Sequence, residues 1–228
     1  MKQFNVNGTC YPDQHYMVDI TERLEKIRSM IQRGEYFCIN RGRQYGKTTT
    51  LSMLKQYLKP EYLVFSLSFE GLGEKDCGST ELFLATFIQL LKRRIRYSKG
   101  EDIAGHTKAT IMRYAEQDEI STTDFKNFIS EICEEASLPV ILLVDEVDTA
   151  GNFAAFNVFL GILREMYLER RELPTFQSVI LASVYDIKNL KLKIRPEEQH
   201  QYNSPWNIAA DFNIDLSFSV RDIESMLK

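Results

Sequence analysis

Apolar residues in this chain follow two patterns, one spaced by three to four positions and one unbroken, and the two alternate from end to end. Leu24, Ile27 and Ile31 share one face of a helix that opens at Asp19-Ile20-Thr21, with Asp19 as its cap, and runs to about Gln32, where Gly34 ends it. Tyr36 to Ile39 is a short apolar strand. A polar loop follows, then a helix from Lys47 to Leu58 that Lys59-Pro60 stops. Tyr62 to Phe69 reads as a second strand. Leu84, Phe87, Ile88, Leu91 and Ile95 mark a strongly amphipathic helix from Glu81 to Ser98, and further helices are predicted over 107–115 and 123–136. Pro139 introduces Val140 to Val144, a run apolar enough to be buried on both faces, as central parallel strands are. A helix from Phe153 to Arg171, a strand from Gln177 to Ser183 and a fifth strand from Asp211 to Phe218 follow, and Ser219 starts one more helix.

Strands alternating with helices predict an α/β fold with a doubly wound sheet. Its 228 residues suffice for a full core, and 44% hydrophobic with 26% charged residues is ordinary for a globular chain. The net charge of −4 supplies no global attraction to nucleic acid or anionic lipid. Cys10, Cys38, Cys77 and Cys133 lie far apart, which excludes a zinc ribbon and suits a reducing compartment. No leader-like apolar region opens the chain and no run reaches membrane-spanning length, so a cytoplasmic location without membrane contact is expected.

Chemistry concentrates in two places. Arg41 to Thr48 reads R-G-R-Q-Y-G-K-T between a strand and a helix. That context makes a phosphate-binding loop, because the first amides of a helix lack internal partners and bind anions. Gly46 lets the backbone approach a phosphate, Lys47 would bridge β- and γ-phosphates from a solvent-facing position, and the Thr48 hydroxyl would join a Mg²⁺ shell. Arg43, Gln44, Tyr45 and Thr49 complete the candidate nucleotide contacts. The first loop position, usually glycine, holds Arg41. Arg41 and Arg43 either add charge to the phosphates or form a solvated pair.

The second place is the end of the Val140 strand, where Asp145 and Glu146 form a Walker B pair. Asp145 is the candidate magnesium ligand, and Glu146 the candidate base that polarises the attacking water. Asp148 reads as a turn or cap residue. Ser183, ahead of Tyr185 and Asp186, is the candidate γ-phosphate sensor at the end of the following strand.

With both motifs in place, the chain resembles the bacterial AAA-ATPase-like family, relatives of archaeal and STAND-type P-loop ATPases. The similarity extends to H-Y-M-V-D at His15 to Asp19, V-D-E-V-D at Val144 to Asp148, V-Y-D-I-K-N-L-K at Val184 to Lys191 and S-P-W-N-I-A at Ser204 to Ala209. Arginine at the first loop position is normal in that family. The resemblance implies a P-loop three-layer sandwich with parallel sheet order 5-1-4-3-2, ATP and Mg²⁺ as cofactors, and Tyr16, Met17 and Val18 beside the adenine, although these three equally read as a staple for the first helix. It divides the chain into an N-terminal segment and helix packing on the nucleotide site (1–34), an ATPase core (35–218) and the start of a lid or C-terminal region (219–228). Relatives often continue into a nuclease-like domain.

Slow ATP hydrolysis driving a motor or switch is the leading expectation, with a nucleotide-gated signalling module as the alternative. Lys92, Arg93, Arg94, Arg96 and Lys99, with Lys188, Lys191, Lys193 and Arg195, raise nucleic-acid contact as a third reading, against which stands the ordinary enrichment of cations at helix ends. A homo-oligomer is a further expectation. Arg170 and Arg171 occupy the place of a trans-acting arginine in some ring ATPases, or simply close a helix. His15, His106 and His200 have no ligand spacing, and Trp206 and Phe212 read as core or lid packing.

Overall fold

The computed structural model of the protein describes residues 2–5, 8–42, 45–97, 103–184 and 205–226. Among these, four parallel strands form one sheet: β1 (Phe37–Asn40), β2 (Leu63–Ser68), β3 (Val140–Asp145) and β4 (Ser178–Ser183), in the order β1-β4-β3-β2. The helices are α1 (Thr21–Gln32), α2 (Lys47–Leu58), α3 (Glu74–Cys77), α4 (Thr80–Tyr97), α5 (Gly105–Tyr114), α6 (Thr122–Glu135), α7 (Ala154–Leu168) and α8 (Val220–Met226). A 3₁₀ turn, η1 (Val147–Thr149), follows β3.

Side chains of a strand alternate between sheet faces, and the two faces feed separate cores. Phe37, Ile39, Val64, Ile141, Leu143, Ile180 and Ala182 pack with α1 and α2. Cys38, Phe65, Leu67, Leu142, Val144, Val179 and Leu181 pack with α4, α6 and α7. Every residue of β3 and β4 is buried, as expected for strands covered on both sides. On the second face, Phe69, Phe83, Phe87, Phe125, Phe156 and Phe159 meet with ring centroids 5.3 to 6.3 Å apart, many of them edge to face.

Local chemistry explains the helix ends. The Asp19 carboxylate accepts from the Thr21 amide at 2.9 Å, one residue ahead of the cap position at Ile20. The Ser121 hydroxyl caps α6 by accepting from the Asp124 amide at 3.1 Å. Gly34 takes φ 68° just beyond α1, in the left-handed region that ends helices. Its carbonyl accepts from the Arg170 guanidinium at 2.6 Å, and Arg170 lies 4.0 Å from the Tyr167 ring, so this arginine ties the end of α7 to the end of α1.

The expected fifth strand does not form, so the order 5-1-4-3-2 is corrected to the four strands above. Its place beside β1 is nevertheless used: Ala210 donates its amide to the Tyr36 carbonyl at 2.8 Å and makes a single parallel bridge with Phe37. Beyond it the backbone leaves the ladder, because Asp215 accepts from the Ser217 amide and hydroxyl at 2.8 and 2.7 Å and so turns the chain locally. The alternating Phe212, Ile214 and Leu216 give the segment its strand-like look, yet they serve as packing for the α1–α2 face. Trp206 is fully buried near Tyr36, and Phe212 stacks on Phe37 at 5.7 Å. The four-residue α3 is too short to show periodicity in the sequence.

Phe159 contacts five other rings of the aromatic cluster. Phe159→Ala should lower unfolding stability by about 3–5 kcal/mol, the usual range for emptying a buried phenylalanine site. Urea denaturation checks this, and a loss below about 1 kcal/mol would mean that the helical layer closes over the gap.

Candidate functional site

In a parallel sheet all strands end on one edge, and here the ends of β1, β3 and β4 meet the start of α2. After β1 the chain passes Arg41 and Gly42, then Tyr45 and Gly46, and α2 begins at Lys47. Gly46 holds φ 71°, a conformation strained for residues with a Cβ, and gives the helix no side-chain cap. Among the described residues no side chain caps the first amides of α2, which suits that helix start to an anion.

Lys47 is not the solvent-facing side chain expected from the sequence. It is 8% exposed, and its ammonium donates to the carbonyl oxygens of Arg41 at 2.7 Å and Gly42 at 2.9 Å. The cation folds back over the loop because those carbonyls have no helical partner and an ammonium carries three donors.

Next to it, the Thr48 hydroxyl donates to Asp145 Oδ2 at 2.7 Å, which joins the start of α2 to the end of β3 across 97 positions of sequence. Asp145 is 7% exposed, and its Oδ1 accepts from the Glu146 amide at 2.9 Å. Both carboxylate oxygens are therefore oriented. Glu146 has φ 54° and ψ 38°, and is the one non-glycine with positive φ among the described residues. A side-chain-bearing residue in this left-handed region is strained by about 1–2 kcal/mol. Burial raises the Glu146 pKa above its ordinary value, the neighbouring Asp145 carboxylate adds to the rise, and Lys47 opposes it.

Ser183 is fully buried at the end of β4, and its carbonyl accepts from the Arg41 amide at 3.2 Å. Asp148, read from sequence as a turn or cap residue, does more: its Oδ2 accepts from the Val184 amide at 2.6 Å and clamps η1 to the end of β4. Its partner lies 36 residues away, so no local pattern announces the role. The Thr49 hydroxyl is taken by the Cys10 amide at 3.1 Å, which seats the N-terminal segment against α2. Tyr45 lies at the rim, 53% exposed. The Arg41 guanidinium is engaged by the C-terminal segment, donating to the Ile214 carbonyl at 3.2 Å. Val18 is buried in the α1–α2 core, while Tyr16 packs on Phe4 at 4.9 Å. Arg43 and Gln44, with Tyr185, Asp186, Lys188, Lys191, Lys193, Arg195, Lys99 and His200, lie outside the described residues.

A cavity of about 650 Å³ runs from Thr48 and Asp145 past Ser52, Lys55 and Glu70 to Arg93 and Arg94 of α4. Two members of the basic cluster thus line the flank of the site.

A family model described as Predicted AAA-ATPase matches residues 11–167. The chain belongs to this family. The matched AAA-ATPase-like region includes Lys47, Thr48, Asp145 and Glu146 and stops before β4 and Ser183. Among solved structures, the Walker-type ATPase paby2304 of Pyrococcus abyssi is similar, with a TM-score of 0.50 and 12% identity over 79% of this chain. The chain spans 48% of that protein, and the likeness is one of fold. No curated protein matches the chain. At this general level, the chain is a member of a predicted AAA-ATPase family, with an α/β fold similar to that of a Walker-type ATPase. Among the described residues no helix is long and apolar enough to cross a membrane.

The strain at Glu146 makes a specific comparison available. Glu146→Asn and Glu146→Gln both remove the charge, but asparagine tolerates the left-handed region. The asparagine variant should be the more stable of the two by about 1 kcal/mol in thermal unfolding. Equal midpoints would show that the backbone at 146 is unstrained.

Proposed function

We propose that the domain binds Mg-ATP between Gly46-Lys47-Thr48 and Asp145-Glu146 and hydrolyses it slowly. The observation that carries this reading is the 2.7 Å contact between the Thr48 hydroxyl and the Asp145 carboxylate, two hard oxygen donors held together at the mouth of a loop that leaves helix amides for an anion. That donor set suits magnesium, which prefers oxygen ligands and would supply charge neutralisation between the β- and γ-phosphates.

The chain's own residues do the rest. The first-turn amides of α2 and the Lys47 ammonium hold the phosphates, and Lys47 is already confined beside them by the Arg41 and Gly42 carbonyls. Glu146 would orient the attacking water and accept its proton; it leaves the strand path in a left-handed turn directly after Asp145, the residue that would hold the metal. Ser183, at the end of the strand between β1 and β3, is the residue proposed to register the γ-phosphate.

Two substitutions test the assignment. Lys47→Ala should weaken MgATP binding about 10- to 100-fold in calorimetry, and should also lower stability by about 1–3 kcal/mol because two carbonyls lose a charged donor. Unchanged affinity removes the phosphate-loop assignment. Glu146→Gln should keep binding while single-turnover hydrolysis falls by about two orders of magnitude, the scale of losing a general base. Hydrolysis at the parental rate would leave the domain as a nucleotide-gated switch in which another group orients the water.

A further inference from the structure

Arg41 is engaged at both its main chain and its side chain. Its carbonyl accepts from Lys47 at 2.7 Å, and its amide donates to the Ser183 carbonyl at 3.2 Å, so its backbone is part of the phosphate loop. Its side chain faces elsewhere. One guanidinium nitrogen donates to the Ile214 carbonyl at 3.2 Å, a second to the Asn40 carbonyl at 2.9 Å, and the carbon between them lies 5.9 Å from the Phe212 ring centroid. Phe212 in turn stacks nearly flat on Phe37 of β1, 11° from parallel.

The segment from 211 to 218 forms no strand, and among the described residues two arginines donate to its carbonyls. Besides Arg41, Arg23 of α1 donates to the Ser217 carbonyl at 2.8 Å and the Asp222 carboxylate at 2.9 Å, and lies 5.8 Å from the Phe218 ring. The two anchors differ in one respect: Arg41 belongs to the phosphate loop and Arg23 does not.

We propose that Arg41 is a positioning residue that couples occupation of the phosphate loop to the seating of residues 211–218 against β1. The inference rests on the loop being the MgATP site. An anion in the loop competes with the Arg41 and Gly42 carbonyls for the Lys47 ammonium. The Arg41 peptide answers that change, and its side chain carries the answer to Ile214 and Phe212. By linkage the effect is reciprocal, so a seated segment favours nucleotide by the same factor as nucleotide favours seating. The geometry also specifies arginine. A planar guanidinium can lie near an aromatic ring while its fork donates to two carbonyls, and a lysine ammonium has no such fork.

The experiment combines MgATP calorimetry with amide hydrogen exchange over 211–218, with and without MgATP. In the parent protein MgATP should slow exchange in that segment. Arg41→Ala should abolish this slowing and weaken MgATP about 5- to 20-fold, within the usual range of coupling between sites, while the β3 amides stay protected. Arg41→Lys should restore neither property, whereas a residue that merely lent positive charge to the phosphates would be rescued by lysine. Arg23→Ala should speed exchange around Ser217 in both states yet keep the slowing by MgATP at 211–216. Should Arg41→Ala fail to fold, Phe212→Ala removes the ring and leaves the loop side chains intact, and the same two losses are expected.

A parent that binds MgATP with no change of exchange at 211–218 overturns the coupling, as does parental affinity in Arg41→Lys. A parent that gives no MgATP binding at all overturns the phosphate-loop reading, and the coupling with it.

Discussion

The hydrogen bond from the Thr48 hydroxyl to the Asp145 carboxylate joins parts of the chain that nothing local would bring together, and the rest of the architecture can be derived from the need to make it. The first residues of α2 must stand over the end of β3. With β1 feeding α2, that requires one strand's width between β1 and β3, and β4 fills it. Because all the strands are parallel, the space between the two motif strands is floored by the end of β4, where Ser183 sits. Parallel central strands must be covered on both faces, hence the separate cores under α1–α2 and α4–α7.

Holding this arrangement places the backbone under local stress. Glu146 takes a left-handed conformation immediately after a buried strand, and its side chain is raised in pKa by burial and by Asp145. Such a conformation persists when its surroundings over-determine it. Here the Asp145 carboxylate fixes the Glu146 amide from one side, and the Asp148–Val184 clamp fixes the turn from the other. The acidic cluster V-D-E-V-D is therefore three roles in a row: Asp145 on the hydroxyl of Thr48, Glu146 strained and half-buried, Asp148 structural.

Much of this was legible in the chain. Apolar runs located the four strands to within a residue or so: in β3 and β4, covered on both faces, polar residues stand only at the strand ends, whereas β2, at the sheet edge, carries Ser66 and Ser68. Gly46-Lys47-Thr48 and Asp145-Glu146 were legible for a related reason: each sits at the junction of an apolar run and a polar turn. What failed to show were partners distant in sequence. The burial of Lys47 depends on a loop closing on itself, the occupation of Thr49 on Cys10, and the orientation of Arg41 on Ile214. Phe212, Ile214 and Leu216 have the period of a strand without forming one, because period reports which side chains are buried without reporting where the backbone hydrogen bonds go.

Trp206, the chain's one tryptophan, lies fully buried between the end of the last described strand and the bridge at Ala210, stacked near Tyr36 at 6.0 Å. An indole in that position is an optical gauge built into the seam where the C-terminal segment meets the sheet. Its emission has a single source, so any wavelength shift refers to this seam and to no other part of the molecule. The chain therefore carries its own fluorophore for following the edge of β1 in real time, without a label.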